Sequence, residues 1–196
     1  MEPKTKLNIS KEEAQRIRAR VRAVQTISGD LGVSRRAVQA DAPGLLKLLS
    51  DARVSGDVYT LPRPFSLNSI SAWIRDHTQQ AKDGRGLLMV TEDERGQIIT
   101  LTDFQFWPEY SACEFGGVIA AHLQSQSVGT KGMAHLCDWV FKQLGIRLLV
   151  MTTSPQNIRS HKLLRGLNFT QMGEMDSVRP DGSVRKSLYW ELLREN

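Results

Sequence analysis

Two cysteines in 196 residues, Cys113 and Cys137, stand isolated and without metal-type spacing. They exclude a disulfide framework and a zinc site, and both read as small core residues. His122, His135 and His161 likewise lack ligand spacing. No apolar run approaches the ~20 residues that cross a bilayer. The opening stretch MEPKTKLNISKEEAQRIRARV has charge but no apolar segment and no small-residue cleavage site, so a cytoplasmic protein is expected. The glycosylation patterns at Asn8 and Asn168 are then without meaning. There is no internal repeat and no low-complexity segment.

What is present suits one soluble domain. Hydrophobic residues make up 40% and charged residues 24% of the chain, and a domain of this length buries roughly 70% of its unfolded surface. The net charge of +5 favours anionic partners, nucleic acid or a phosphorylated cofactor alike.

Ser10 with Glu13 forms a capping box, and Ala14, Ile17, Val21 and Val24 follow at helical spacing until Ser28-Gly29, which predicts an N-terminal helix. Its Arg16, Arg18, Arg20 and Arg22 point to different sides, favouring a solvated surface over a nucleic-acid grip. Its apolar stripe predicts packing on the domain or on a second subunit, so a homodimer is compatible. Residues 33–38 predict a short strand, Asp41 caps a helix through Leu49, and Ser66 opens a helix carrying Ile70, Trp73, Ile74 and His77 on one face. His77 reads as a satisfied structural histidine. Residues 87–91, 97–107 and 111–121 predict an antiparallel meander. A helix from near Thr130 to Gly145, a strand over 147–153, a helix over 154–167 and a hairpin of 169–178 with 184–192 close the chain. The strand, helix and strand over 111–153 form a crossover, so those two strands are expected to be parallel.

The stretch QSQSVGT, residues 124–130, precedes that helix directly. A helix start leaves amides without partners and presents the positive end of its dipole, so a phosphate fits there. Ser125, Ser127 and Gly129 allow close approach, and Gly129 can adopt angles costly for other residues. The stretch is neither a Walker loop nor GxGxxG, and a plain connecting turn accounts for it as well.

The spacing of Gln124-Ser125-Gln126-Ser127-Val128-Gly129 resembles the Q/R-x-x-G-x-G/A signature of the GNAT acyl-coenzyme A N-acyltransferases. Further on, Asn157-Ile158-Arg159-Ser160 through Leu163, Gly166 and Phe169 resembles the superfamily's N-x-x-S/A motif followed by L and G-x-x-F. Cys113 to Ala120 looks like its cofactor-binding fourth strand. The likeness covers about residues 31–193 and is closest to the RimJ/RimL branch. It implies an α/β (α+β) GNAT fold, a mixed central sheet of about seven strands with helices on both faces. Residues 1–30 would be an N-terminal helical extension and 31–196 the acetyltransferase domain. One departure lies at Ser127, where a glycine is usual.

The resemblance further implies transfer of acetyl from acetyl-coenzyme A to a primary amine by direct attack, with no metal. The amine is a protein N-terminus or a small polyamine-like or antibiotic molecule. Val118 and Ile119 map to the strand whose backbone N–H, splayed by a bulge, receives the oxyanion. Gln124, Ser125, Gln126, Ser127, Val128, Gly129, Thr130 and Lys131 map to the phosphate loop, with Thr130 able to cap the helix. Asn157 maps to the asparagine that contacts the pantetheine arm. Glu114, on one strand face with Gly116 and Val118, is the candidate base. Many relatives carry a tyrosine acid seven residues after the asparagine, where this chain has Leu164; Ser160 is the alternative acid. The acceptor end would draw on residues 64–80, 107–110 and the last hairpin, with Asp57, Asp103, Glu109, Glu174 and Asp176 to attract a cation and Trp107 and Tyr110 to stack on it. Two other readings stay open: a non-catalytic acetyl-coenzyme A sensor on the same fold, and nucleic-acid binding through the first helix.

Overall fold

The computed structural model of the chain describes residues 2–56, 58, 60–124, 127–178 and 182–194. Its helices are α1 (Lys11–Ala23), α2 (Ala42–Leu49), α3 (Ala52–Ser55), α4 (Leu67–Asp83), α5 (Val128–Trp139) and α6 (Ile158–Gly166). Its strands are β1 (Thr26–Gly29), β2 (Gly32–Arg36), β3 (Gly86–Glu92), β4 (Ile98–Trp107), β5 (Ala112–Ile119), β6 (Leu148–Thr153), β7 (Thr170–Val178) and β8 (Val184–Leu193). The strands form one 8-stranded sheet in the order β1-β2-β3-β4-β5-β6-β8-β7. Every neighbouring pair is antiparallel except β5 and β6, which the α5 crossover makes parallel.

The count exceeds the expected seven by β1. The apolar periodicity predicts a first helix as far as Ser28-Gly29, but α1 stops at Ala23, with Val24 already extended at ψ 119°. The β-branched Thr26 and Ile27 then pair with Arg35 and Ser34. The boundary expected at residue 30 thus falls in the turn of a hairpin whose two strands belong to one sheet.

Alternation along the strands sends one set of side chains to each face, and each face buries a core. One cluster gathers Met89, Phe104, Phe115 and Leu149 under α1 and α5, with Ile17 and Val21 contributed by α1. The opposite cluster holds Leu88, Val90, Leu101 and Val118 against Leu45 of α2 and Ile70 and Ile74 of α4. The apolar stripe of α1 is therefore spent on this chain's own core. Two of its arginines are also engaged: Arg18 pairs with Glu109 at 3.0 Å, and Arg20 Nη1 donates to the Leu144 carbonyl at 3.3 Å. That carbonyl ends the π-helical continuation of α5, residues Val140–Leu144, where a cation complements the negative end of the dipole. Contact between α1 and α4 is close: Gly84, which ends α4 at φ 66°, would place a Cβ only 2.7 Å from the Arg18 carbonyl.

Asp41 precedes α2 without a side-chain cap bond. Its carboxylate instead accepts two bonds from Arg35, at 2.7 and 2.8 Å, and one from the Val38 N–H at 2.7 Å. A paired cation on the adjacent strand outcompetes a neutral helix amide for the same oxygens.

Candidate active site

β5 keeps all its length on β4 but only residues 112–114 on β6. Beyond Glu114 the two parallel strands part, and the carboxyl ends of β5 and β6 and the N-termini of α5 and α6 meet at this opening. Crevices at the carboxyl ends of parallel strands are where such sheets take ligands.

The β4–β5 register runs unbroken from Thr100↔Ile119 to Trp107↔Ala112, so no bulge does the splaying; β6's departure does. Ala120 N–H donates to Ile99 O at 2.8 Å. Alternation along the antiparallel ladder then commits the Val118 amide to β4 and turns those of Gly117 and Ile119 toward the opening. Of the two expected oxyanion donors, Ile119 keeps that geometry, Val118 does not, and Gly117 joins it. Gly117 must also be a glycine, since a Cβ there would lie 2.3 Å from the Leu101 carbonyl oxygen.

α5 begins at Val128, two residues earlier than expected. The first intrahelical bond runs from Lys131 N–H to Ser127 O at 3.0 Å, which leaves the amides of Val128, Gly129 and Thr130 ahead of the ladder. The left-handed residue is Ser127, at φ 60°, and not Gly129, which lies within the helix. Thr130 therefore does not cap; the N-cap is Ser127, with no side-chain bond. Thr130 and Lys131 are exposed. Gln124 turns the other way, its side-chain amide donating to the carbonyls of Ile119 at 3.0 Å and Arg53 at 3.2 Å, so it holds the end of β5 against α3. Ser125 and Gln126 lie outside the described residues.

A cavity of about 220 Å³ sits between the first half of α5 and the sheet, lined largely by apolar groups. Val118, Ile119, Val128 and Gly129 line it, joined by Ile27 and Leu31 of the β1–β2 hairpin. Those last two carry no motif. Only the turn residues Gly29-Asp30 and Gly32 hinted at the hairpin that brings them there.

Asn157 precedes α6 and accepts the Ser160 N–H on Oδ1 at 3.0 Å. This cap fixes the side chain and leaves its Nδ2 group as the donor a ligand could use. Ser160 stands half-buried in the same first turn. His161 spends Nε2 on the Ser154 carbonyl at 2.9 Å and packs on Trp190.

Glu114 lies at the last position shared by β5 and β6, where it receives the Thr152 hydroxyl on Oε1 at 2.9 Å. Burial pushes its carboxyl up to about 7; the Thr152 bond opposes the rise and the charge of Asp103 adds to it. A carboxyl that loses its proton near neutral pH beside an open cleft is suited to general-base work. Cys113, on the other face, is fully buried and its thiol is raised well above its usual value by desolvation, so it is inert as a nucleophile. Among the described residues no cluster could hold a metal ion, and no helix is long and apolar enough to cross a membrane.

The candidate acceptor residues are sorted by their partners. Glu109 is spent on Arg18 and Arg85, and Asp176 pairs with Lys186 at 2.7 Å. Trp107 is 6% exposed in a core cluster and cannot stack on a ligand. Tyr110 has the Lys6 ammonium 5.0 Å from its ring centroid. Asp103 faces His77 on the Glu114 side of the sheet, and Asp57 lies outside the described residues.

Residues 34–170 match the family model described as an acetyltransferase (GNAT) domain. No match is found among curated proteins. Among solved structures the chain is similar to the ribosomal-protein-S5-alanine acetyltransferase of Vibrio fischeri (TM-score 0.72, 16% identity, 88% of this chain and 98% of that one). It also resembles Mycobacterium smegmatis RimJ in complex with CoA-disulfide (TM-score 0.68, 17% identity, 86% and 84%). The ribosomal-protein-alanine N-acetyltransferase of Brucella melitensis follows the same frame (TM-score 0.61, 19% identity, 82% and 99%). These likenesses establish the fold, and the match of the family model over more than half of the sequence establishes the family. The chain belongs to the GNAT acetyltransferases and is an acyltransferase with N-acetyltransferase chemistry.

Proposed function

We propose that the protein acetylates a primary amine with acetyl-coenzyme A as donor, the amine belonging to a protein N-terminus or to a small polyamine-like or antibiotic molecule. The observation that carries this reading is Glu114, a carboxyl raised to about 7 at the point where β5 and β6 part.

The residues at the opening fit the donor. The amides of Val128, Gly129 and Thr130, which lie ahead of the helical ladder, and the dipole behind them suit a diphosphate. A Cβ at Gly129 would meet only Ile119 Cδ1, at 3.9 Å, so the helix start has room for a close ligand. Asn157 Nδ2 can replace hydrogen bonds that a pantetheine arm loses on desolvation, and the amides of Gly117 and Ile119 face the space where an oxyanion would form. When bound, acetyl-coenzyme A supplies a thioester whose C–S bond breaks as the C–N bond to the amine forms. Glu114 takes the proton of the ammonium form, the nitrogen gives up a second proton to solvent as the amide forms, and the Ser160 hydroxyl, at the α6 start, passes a proton to the departing sulfur and regains one from solvent.

The comparison structures supply a guide to the acceptor. Two of them are named as acetyltransferases of ribosomal proteins, and a protein N-terminus is the first class to test. The experiment incubates the full chain and acetyl-coenzyme A with peptides of varied N-terminal residue, spermidine and aminoglycosides, following thiol release and the mass gain of one acetyl group. Thiol release with an acetylated product supports the reading. Tight binding of acetyl-coenzyme A with no thiol released from any amine would instead indicate a sensor.

A further inference from the structure

α4 lies on the Glu114 face of the sheet, packing Ile70 and Ile74 with Leu101 and Val118. One turn beyond Trp73 it carries His77, 7% exposed. Both ring nitrogens of His77 meet acceptors: Nδ1 lies 3.0 Å from the Trp73 carbonyl oxygen and Nε2 2.8 Å from Asp103 Oδ1. A carbonyl can only accept, so Nδ1 bears a hydrogen. A carboxylate can only accept as well, so the pair holds one more proton than a neutral imidazole and an ionised acid would. Trp73 closes the ring in, edge-on at 5.5 Å.

Asp103 pairs in register with Gly116, one facing position along from the Gln105↔Glu114 pair. Asp103 and Glu114 are therefore diagonal neighbours on one face, and diagonal side chains in a sheet remain within interaction range. Gly116 puts no side chain between them, and a Cβ there would find nothing within 4 Å. The sequence reading of His77 as a satisfied histidine describes its bonds. It leaves unexplained why a buried helix position bears a proton-holding pair where an apolar residue would pack as well.

We propose that His77 and Asp103 are a positioning pair for Glu114: His77, as an imidazolium, fixes the Asp103 carboxylate beside the base and partly offsets its charge. The proposal rests on the reading of Glu114 as the proton acceptor. Burial works against charge on His77, but the Asp103 bond and its charge, together with the Trp73 carbonyl, outweigh it and raise the imidazole above its usual value. The other groups facing this cluster are few among the described residues. Thr152 comes from β6; from β8 comes Tyr189, whose hydroxyl donates to Glu191 and whose ring lies under the Lys4 ammonium. Asp76 neighbours His77 on α4 and acts in the same direction as Asp103.

Two substitutions separate positioning from mere structure, because they move Glu114 in opposite directions. Asp103→Asn removes the neighbouring negative charge, so Glu114 ionises at lower pH. His77→Gln keeps a donor toward Asp103 but removes the positive charge, so Glu114 ionises at higher pH. Shifts of roughly half to one pH unit are expected for charges at this kind of separation in a partly screened site. The readout is carbon-13 NMR titration of glutamate-labelled full chain, with the Glu114 signal assigned by its loss in Glu114→Gln; no amine or donor is needed. Nitrogen-15 spectra of His77 in the unmodified protein provide a measurement that no variant can spoil by misfolding, and both nitrogens should be protonated at pH 7. A neutral imidazole there, or titrations that stay still or move together, overturns the pair. Opposite shifts in a protein that acetylates no amine would sustain the pair and sink the enzymatic reading on which its purpose rests.

Discussion

Thr152 Oγ1 donates to Glu114 Oε1 at 2.9 Å from two residues beyond Val150, the partner of Glu114 in the last rung that β5 and β6 share. The bond ties the candidate base to the strand that leaves it, so the raised carboxyl stands at the place where the sheet opens. The neighbouring residues of β5, Gly116 and Gly117, are exposed.

The first expectation is a rate that climbs with pH. Glu114 must be ionised to act, and its carboxyl is raised to about 7, so kcat/KM for a cognate amine should rise through about pH 7 and level above it. Glu114→Gln should lower kcat by roughly 10²–10⁴-fold while calorimetry shows unchanged donor binding. An unchanged pH profile in the variant would remove Glu114 from the mechanism.

Stability should respond to the same group with the opposite slope. Above its unfolded value of 4.5 Glu114 holds its proton in the folded state and releases it in the unfolded one. Folding stability therefore falls as pH rises from about 4.5 to about 7, then stays level. Glu114→Gln should abolish this slope, as followed by urea denaturation across the range.

Asn157 carries two separable groups, the cap oxygen Oδ1 and the donor Nδ2. Asn157→Asp keeps the oxygen that accepts the Ser160 N–H and adds favourable charge at the α6 start, so thermal stability should hold. The variant loses Nδ2, however, and donor affinity should fall by about 1 kcal/mol, a factor of ~5. Asn157→Ala should lose both, with about 1 kcal/mol of stability. Equal donor affinity in all three proteins would take Asn157 out of the cofactor site.

Ser127 carries a left-handed backbone at φ 60°, which costs a non-glycine residue about 1–2 kcal/mol. Ser127→Gly relieves this at the expense of a more flexible unfolded chain, and a net gain of up to about 1 kcal/mol is expected in chemical denaturation. Ser127→Val should do the reverse, because a β-branched side chain tolerates that region least.

The N-terminal helix is a structural member of the domain. Ile17 is 2% exposed, and Ile17→Ala should cost about 2–5 kcal/mol. Gly84→Ala should destabilise as well, through both its positive φ and the Arg18 carbonyl. Truncation of residues 1–28 should give a chain without a cooperative melting transition. A truncated chain that melts as the full one does would support an independent extension ending near residue 30.

Local signals and distant ones divide this protein cleanly. The capping of α1 by Ser10 and of α4 by Ser66 and the period of each helix and strand depend on residues within a few positions of one another. Their pattern was readable in the chain because local hydrogen bonding and hydrophobic period are short-range. The short β1 was lost because Val24 prolonged the helical period, and only pairing with β2 reveals a four-residue strand.

The two motifs fall at the starts of α5 and α6 and the strand likeness holds Glu114, but which amides of β5 face the cleft depends on the phase of the ladder with β4. The sequence put the flexible position at Gly129, whereas the helix start moved it to Ser127. Gln124 looked like a loop residue until the carbonyls of Ile119 and Arg53 claimed it. His77 and Asp103, 26 positions apart, looked unrelated. Composition and order determined what elements form and which chemistry they can bear; the packing of α4 over β4 and the parting of β5 from β6 decided which charges meet, because electrostatics acts through space and is blind to sequence distance.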